Sequence, residues 1–68
     1  MQLYYVNDRA QTNGDHEVHE DNCPYMPEPR NRTFLGYFAD CTQAITEAKK
    51  RYTQVNGCKT CCLKCHTQ

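Results

Sequence analysis

The sequence predicts a small α+β domain of two or three short strands, one helix and a C-terminal cysteine knuckle, spanning residues 1–68 as a single unit. Three observations predict it. Residues 2–6 and 33–38 are short, aromatic and β-branched, which is strand composition. From Cys41 to Val55 apolar side chains recur at helical spacing. Four of the six cysteines crowd into the run from Cys58 to Cys65. A chain of 68 residues that is 38% hydrophobic and lacks Trp has little core to rely on. A core of this size supplies about 3–5 kcal/mol, so cross-links or a metal are expected to help hold the fold.

Each element has its own local reason. Gln2-Leu3-Tyr4-Tyr5-Val6 reads as the first strand. The polar stretch that follows ends in Asn13-Gly14-Asp15, and Asn-Gly readily takes the positive φ of a tight hairpin. His16-Glu17-Val18-His19 reads as a strand leading away from that turn. Pro24, Pro27 and Pro29 then exclude both helix and central strand, so this stretch is a loop. Thr33 to Phe38 is a strand again, with Gly36 marking a bulge or a close backbone approach. Asp40, with Gln43 three residues on, is a helix N-cap with a capping-box partner. The helix then carries Cys41, Ala44, Ile45, Ala48, Tyr52 and Val55 on one apolar stripe, and Asn56-Gly57 stops it.

Charge excludes little in total and more in detail. Eight basic side chains balance eight acidic ones. Residues 1–28 hold six acidic groups against Arg9, whereas residues 29–68 hold seven basic groups against Asp40 and Glu47. Two solvated faces of opposite sign are one reading; a basic patch for a phosphate backbone is the other. No run approaches the ~18 apolar residues of a membrane span, so no membrane partner is expected. The N-terminus has no basic region followed by an apolar one, so a cytoplasmic location is expected, with the cysteines as thiols or metal ligands rather than disulfides.

The chemistry lies in cysteine and histidine. Cys58-x2-Cys61 and Cys62-x2-Cys65 are overlapping knuckles, and a two-residue spacer lets both sulfurs turn onto one ion. Each pair supplies half a tetrahedral site. The other half comes from His19-x3-Cys23, whose exit is stiffened by Pro24. The site expected is therefore His19, Cys23, Cys58 and Cys61 around Zn²⁺, with Cys62 or Cys65 as competitors for the last two places. Such a site would pin both ends of the strand–helix segment, and structural zinc contributes on the order of 10 kcal/mol. His16 and His19 fall on opposite faces of a strand, so only one of them can serve. His16 and the near-terminal His66 are expected to be surface residues. Cys41, on the buried helix face, reads as a small core residue, as a disulfide partner of Cys62 or Cys65, or as a ligand. Cys62-Leu63-Lys64-Cys65-His66 matches a haem-attachment string, but this chain has little apolar mass to cover a haem.

The order His-x3-Cys, loop, aromatic strand, helix with Ala44 and Ala48, glycine and Cys-x2-Cys resembles the Ada-like family of small bacterial zinc domains. The resemblance covers roughly residues 16–61 and implies His19, Cys23, Cys58 and Cys61 as zinc ligands. In Ada itself the first ligand of the N-terminal pair is a cysteine that accepts a methyl group from a DNA phosphotriester; here His19 stands at that position. Many small proteins of this kind have no assigned task.

The reading reached is a monomeric, non-enzymatic zinc module that binds nucleic acid or a protein, with Lys49, Lys50, Arg51, Lys59 and Lys64 as contacts. Two alternatives differ in class. One is a thiolate-active alkyl acceptor or redox sensor using Cys23, Cys61 or Cys62. The other is a metal-free miniprotein stapled by disulfides.

Overall fold

The computed structural model describes residues 1–67 as a four-stranded sheet with one helix. The strands are β1 (Gln2–Asn7), β2 (His16–Glu20), β3 (Arg32–Phe38) and β4 (Val55–Gly57), and the helix α1 is Cys41–Ala48. The sheet order is β3-β1-β2-β4. β1 pairs antiparallel with both β2 and β3, while the short β4 runs parallel to β2. The α+β class predicted is the one found, with β4 added.

Alternation along the strands makes a core on one face. Tyr4, Val6 and Val18 point to the side where α1 lays Cys41, Ala44 and Ala48, and Cys62 completes the buried cluster. Val6 and Val18 are fully buried; burying such a side chain contributes about 1.5–3 kcal/mol. Tyr5 and His19 are register partners on β1 and β2 and share the opposite face. There the Arg32 guanidinium lies 4.8 Å over the Tyr5 ring and Phe34 packs at 5.3 Å.

The glycine signals are explained locally. The β1–β3 register shifts between Tyr4 and Tyr5, so β3 bulges opposite. Gly36 sits there at φ +149°, where a Cβ would lie 2.6 Å from the Phe38 ring. Gly14 takes φ +95° in the turn between β1 and β2, although that connection is longer than a tight hairpin. Asp40 caps α1 by accepting from the Thr42 N–H at 2.8 Å, and Gln43 Oε1 accepts from the Ala39 N–H at 2.9 Å.

The helix is shorter than its periodicity predicts. After Ala48 the N–H groups of Lys50 and Arg51 bond three residues back, tightening the chain into a turn. Tyr52 N–H still bonds Ala48 O at 3.0 Å, and two partners hold its side chain toward the sheet. Its ring stacks on His16 at 3.6 Å, and its hydroxyl donates to Asp8 Oδ1 at 2.7 Å. Val55 and Tyr52 do reach the core, but from β4 and the turn. Asn56-Gly57, read as a helix stop, belongs to β4. A three-residue strand leaves no periodicity to detect; its pairing with β2 is a tertiary effect.

Candidate metal centre

β2 delivers the first donor. With Val18 committed to the core, the next residue, His19, must face the other way, and there it is 1% exposed. The chain then folds back on itself: Cys23 N–H bonds Glu20 O and Met26 N–H bonds Cys23 O. These turns bring the Cys23 sulfur within 4.8 Å of a His19 ring nitrogen. The second half of the site hangs from β4. Cys58 N–H bonds Val18 O, carrying the parallel ladder one step beyond Gly57, and Cys62 N–H bonds Cys58 O to close a turn around Cys61. A Cβ on Gly57 would stand 2.9 Å from Cys62 O and 2.8 Å from Cys65 Cβ, so only glycine lets this segment pack so close.

One ligand atom from each of His19, Cys23, Cys58 and Cys61 lies within 4.8 Å of the other three. These four side chains can hold a metal ion. The Cys23 and Cys58 sulfurs are 3.8 Å apart, and Cys61 Sγ is 4.0 Å from His19 Nδ1. Each sulfur also receives a backbone N–H: Tyr25 donates to Cys23 at 3.4 Å, Thr60 to Cys58 at 3.4 Å and Glu20 to Cys61 at 3.2 Å. Such donors stabilise a thiolate more than a thiol. The other imidazole nitrogen of His19, Nε2, lies 3.5 Å from Glu17 Oε1. A carboxylate behind a ligating histidine fixes its orientation and raises its basicity.

Without a cation the enclosure is hostile to charge. Burial lowers the His19 pKa and raises those of the Cys23 and Cys61 thiols. Burial also pushes Cys62 up to about 11, with Glu20 and Cys58 adding to the rise. A metal ion reverses this balance, because its own charge is then the largest in the site.

The remaining cysteines sort themselves. Cys41 and Cys65 form a disulfide that ties the start of α1 to the short 3-10 turn Leu63–Cys65. The expectation that all cysteines are thiols or ligands fails at this pair, because the helix start and the chain end pack together here. Cys41 is at once a core residue and a disulfide partner, and Cys65 is thereby removed from the competition for metal. Cys62 is buried and free, with its sulfur 3.7 Å from Cys61 Sγ. It lies outside the group of four donors.

The expectations for the other histidines need correction. His16 is half-buried against Tyr52, and its Nδ1 lies 3.0 Å from Asn7 O. His66 is held too, with Nδ1 2.9 Å from Gly57 O. Asn56 secures the same tail, accepting from Thr67 N–H at 2.9 Å and donating to Asp15 Oδ2 at 3.2 Å. Glu17 is the site residue that sequence reasoning passed over. Its signal was present, since residues two apart on a strand share a face and Glu17 precedes His19 by two.

No helix of the described residues is long and apolar enough to cross a membrane. Comparison with protein-family models, curated proteins and solved structures finds no match to this chain.

Proposed function

We propose that this protein is a small zinc module of Ada-like type, whose metal is structural and which acts by binding a partner. The observation that carries this reading is the convergence of three sulfurs and one imidazole, each sulfur already bonded by a backbone N–H. The fit to zinc is geometric. A tetrahedron with Zn–S of about 2.3 Å has edges of about 3.8 Å between sulfurs, and Cys23 and Cys58 are 3.8 Å apart. Four protein donors leave no open position, which is the mark of a structural rather than a catalytic site. A mixed sulfur and nitrogen set also suits zinc better than it suits hard cations. Holding β2, the proline loop and the chain after β4 at one point, zinc would supply cohesion that the core lacks.

The partner is proposed to be nucleic acid or protein, met through the basic side chains. Of the five named above, Lys64 is paired with Asp40 at 2.7 Å and Lys50 with Glu47 at 3.1 Å. Lys49, Arg51 and Lys59 have no ion pair among the described residues, and they are exposed. They are the better contacts. A monomeric state is part of the same proposal.

The test is an intact native mass before and after a strong chelator, with circular dichroism alongside. One zinc per chain and loss of structure on its removal are expected. A chain that keeps its spectrum and its melting curve without metal refutes a structural role. Salt-dependent binding to an oligonucleotide, lost on joint substitution of Lys49, Arg51 and Lys59, would assign the partner to nucleic acid.

A further inference from the structure

We propose that Cys61 and Cys62 form a peroxide-reactive modification site, Cys61 as the sulfur attacked and Cys62 as the thiol that closes a disulfide on it. The inference deepens the metal reading and rests on it, since a bound ion would hold Cys61 as a thiolate. Two observations carry it. Cys61 is the most exposed residue of the four donors, the other three being at most 7% exposed. A small oxidant approaching the cluster finds this residue the most open. Beside it, 3.7 Å away, stands Cys62, a thiol that is 2% exposed, belongs to no disulfide and lies outside the donor set.

The chemistry balances with hydrogen peroxide as the two-electron oxidant. The Cys61 thiolate attacks one peroxide oxygen, the O–O bond breaks, and Cys61 becomes a sulfenic acid while hydroxide leaves. Cys62 loses its proton to that hydroxide, forming water, and its sulfur attacks Cys61 Sγ. The S–O bond breaks, the S–S bond forms, and a second hydroxide leaves. Two sulfurs are oxidised by one electron each and one peroxide is reduced. Cys61 is thereby withdrawn from the donor set, leaving three protein ligands. Cα atoms of neighbours joined by a trans peptide are about 3.8 Å apart, closer than the roughly 4.4–6.8 Å usual for a disulfide, so the bond is strained and readily reduced. The modification is reversible for that reason.

The sequence offers a direct readout. Lys59 and Lys64 flank Thr60-Cys61-Cys62-Leu63, so trypsin releases residues 60–64 as a peptide holding these two cysteines and no others. The zinc-loaded full chain, with Cys41–Cys65 intact, is treated with one equivalent of hydrogen peroxide beside a chromophoric zinc indicator. Zinc release is expected in step with peroxide consumed. Peptide 60–64 should be two hydrogens light and linked to nothing else, and a thiol reductant should restore both thiols and zinc uptake. Cys62→Ser should still bind zinc, and its oxidised Cys61 should be trapped as a sulfenic acid by dimedone. Should that variant fail to fold, the wild-type peptide map decides alone. A bond between Cys23 and Cys58, any other partner for Cys61, or an unreacted peptide 60–64 overturns the proposal. A chain that takes up no zinc defeats the metal reading separately. The same map on the metal-free chain then decides the pair, a light peptide 60–64 supporting it and any other product overturning it.

Discussion

Replacing both Cys41 and Cys65 with Ala removes a cross-link between residues 24 apart in sequence. The chain-entropy relation for a loop of that length gives about 12 cal/mol/K, or roughly 3.5 kcal/mol at room temperature. That is comparable with the ~3–5 kcal/mol expected from a core of this size. The metal-free double variant should therefore be largely unfolded. The metal-bound variant should remain folded, because the proposed ligands tie β2 to the segment after β4 by a separate route. The assay is urea unfolding of wild type and variant, each with zinc and with chelator, followed by circular dichroism. With a slope of about 1 kcal/mol/M for so short a chain, the midpoint should fall by ~3 M in urea wherever both proteins can be measured. A fall of less than ~1 M would refute the reasoning, since the unfolded chain would then gain little freedom from losing the bridge. Titration of six thiols in unfolded, unreduced wild type would refute the bridge itself.

Three further outcomes are expected. Glu17→Gln should weaken zinc binding by about 10-fold or more while leaving the apo fold unchanged, because it removes the carboxylate behind His19 Nε2; competition with a chromophoric chelator reads this, and an unchanged affinity would show that the contact does not tune the ligand. Gly36→Ala should lower the melting temperature markedly, since φ +149° is hostile to a side chain and the Cβ would meet the Phe38 ring; an unaltered melt would mean that the bulge relaxes freely. The third concerns acid. Burial lowers the folded-state pKa of His19, so below the ordinary histidine value of about 6.5 the unfolded chain binds a proton that the folded chain resists, and stability falls as pH drops through that window. Urea midpoints of the metal-free protein measured across the window should decline more steeply for wild type than for His19→Gln, and equal slopes would contradict the burial account.

How much could be read from the sequence differs from element to element. The cap at Asp40, the bulge at Gly36 and the opposed faces of His16 and His19 follow from rules that act over a few residues, and the structure has all three. The four donors named from their spacing are the four brought together, because His-x3-Cys and Cys-x2-Cys are local geometries that need only one long-range meeting. The end of α1 was not legible. The apolar stripe runs on through Tyr52 and Val55, and only the pull of His16, Asp8 and β2 on those residues shows that it is helix in part. The Cys41–Cys65 bridge was one of several open pairings, since spacing does not choose between Cys62 and Cys65 as partner for Cys41. Only the approach of the chain end to the start of α1 selects it.

The alternation of Val18 and His19 along β2 has a consequence for folding fidelity. β2 is held between two neighbours, antiparallel to one and parallel to the other. Were it to slip by a single residue, every side chain would change face. Val18 would be presented where the imidazole now stands, and His19 would be driven into the apolar layer. A misaligned sheet would then lack one of its four donors. An ion that prefers the complete set would bind the correctly paired chain and reject the slipped one, acting as a proofreader of strand alignment as well as a clasp.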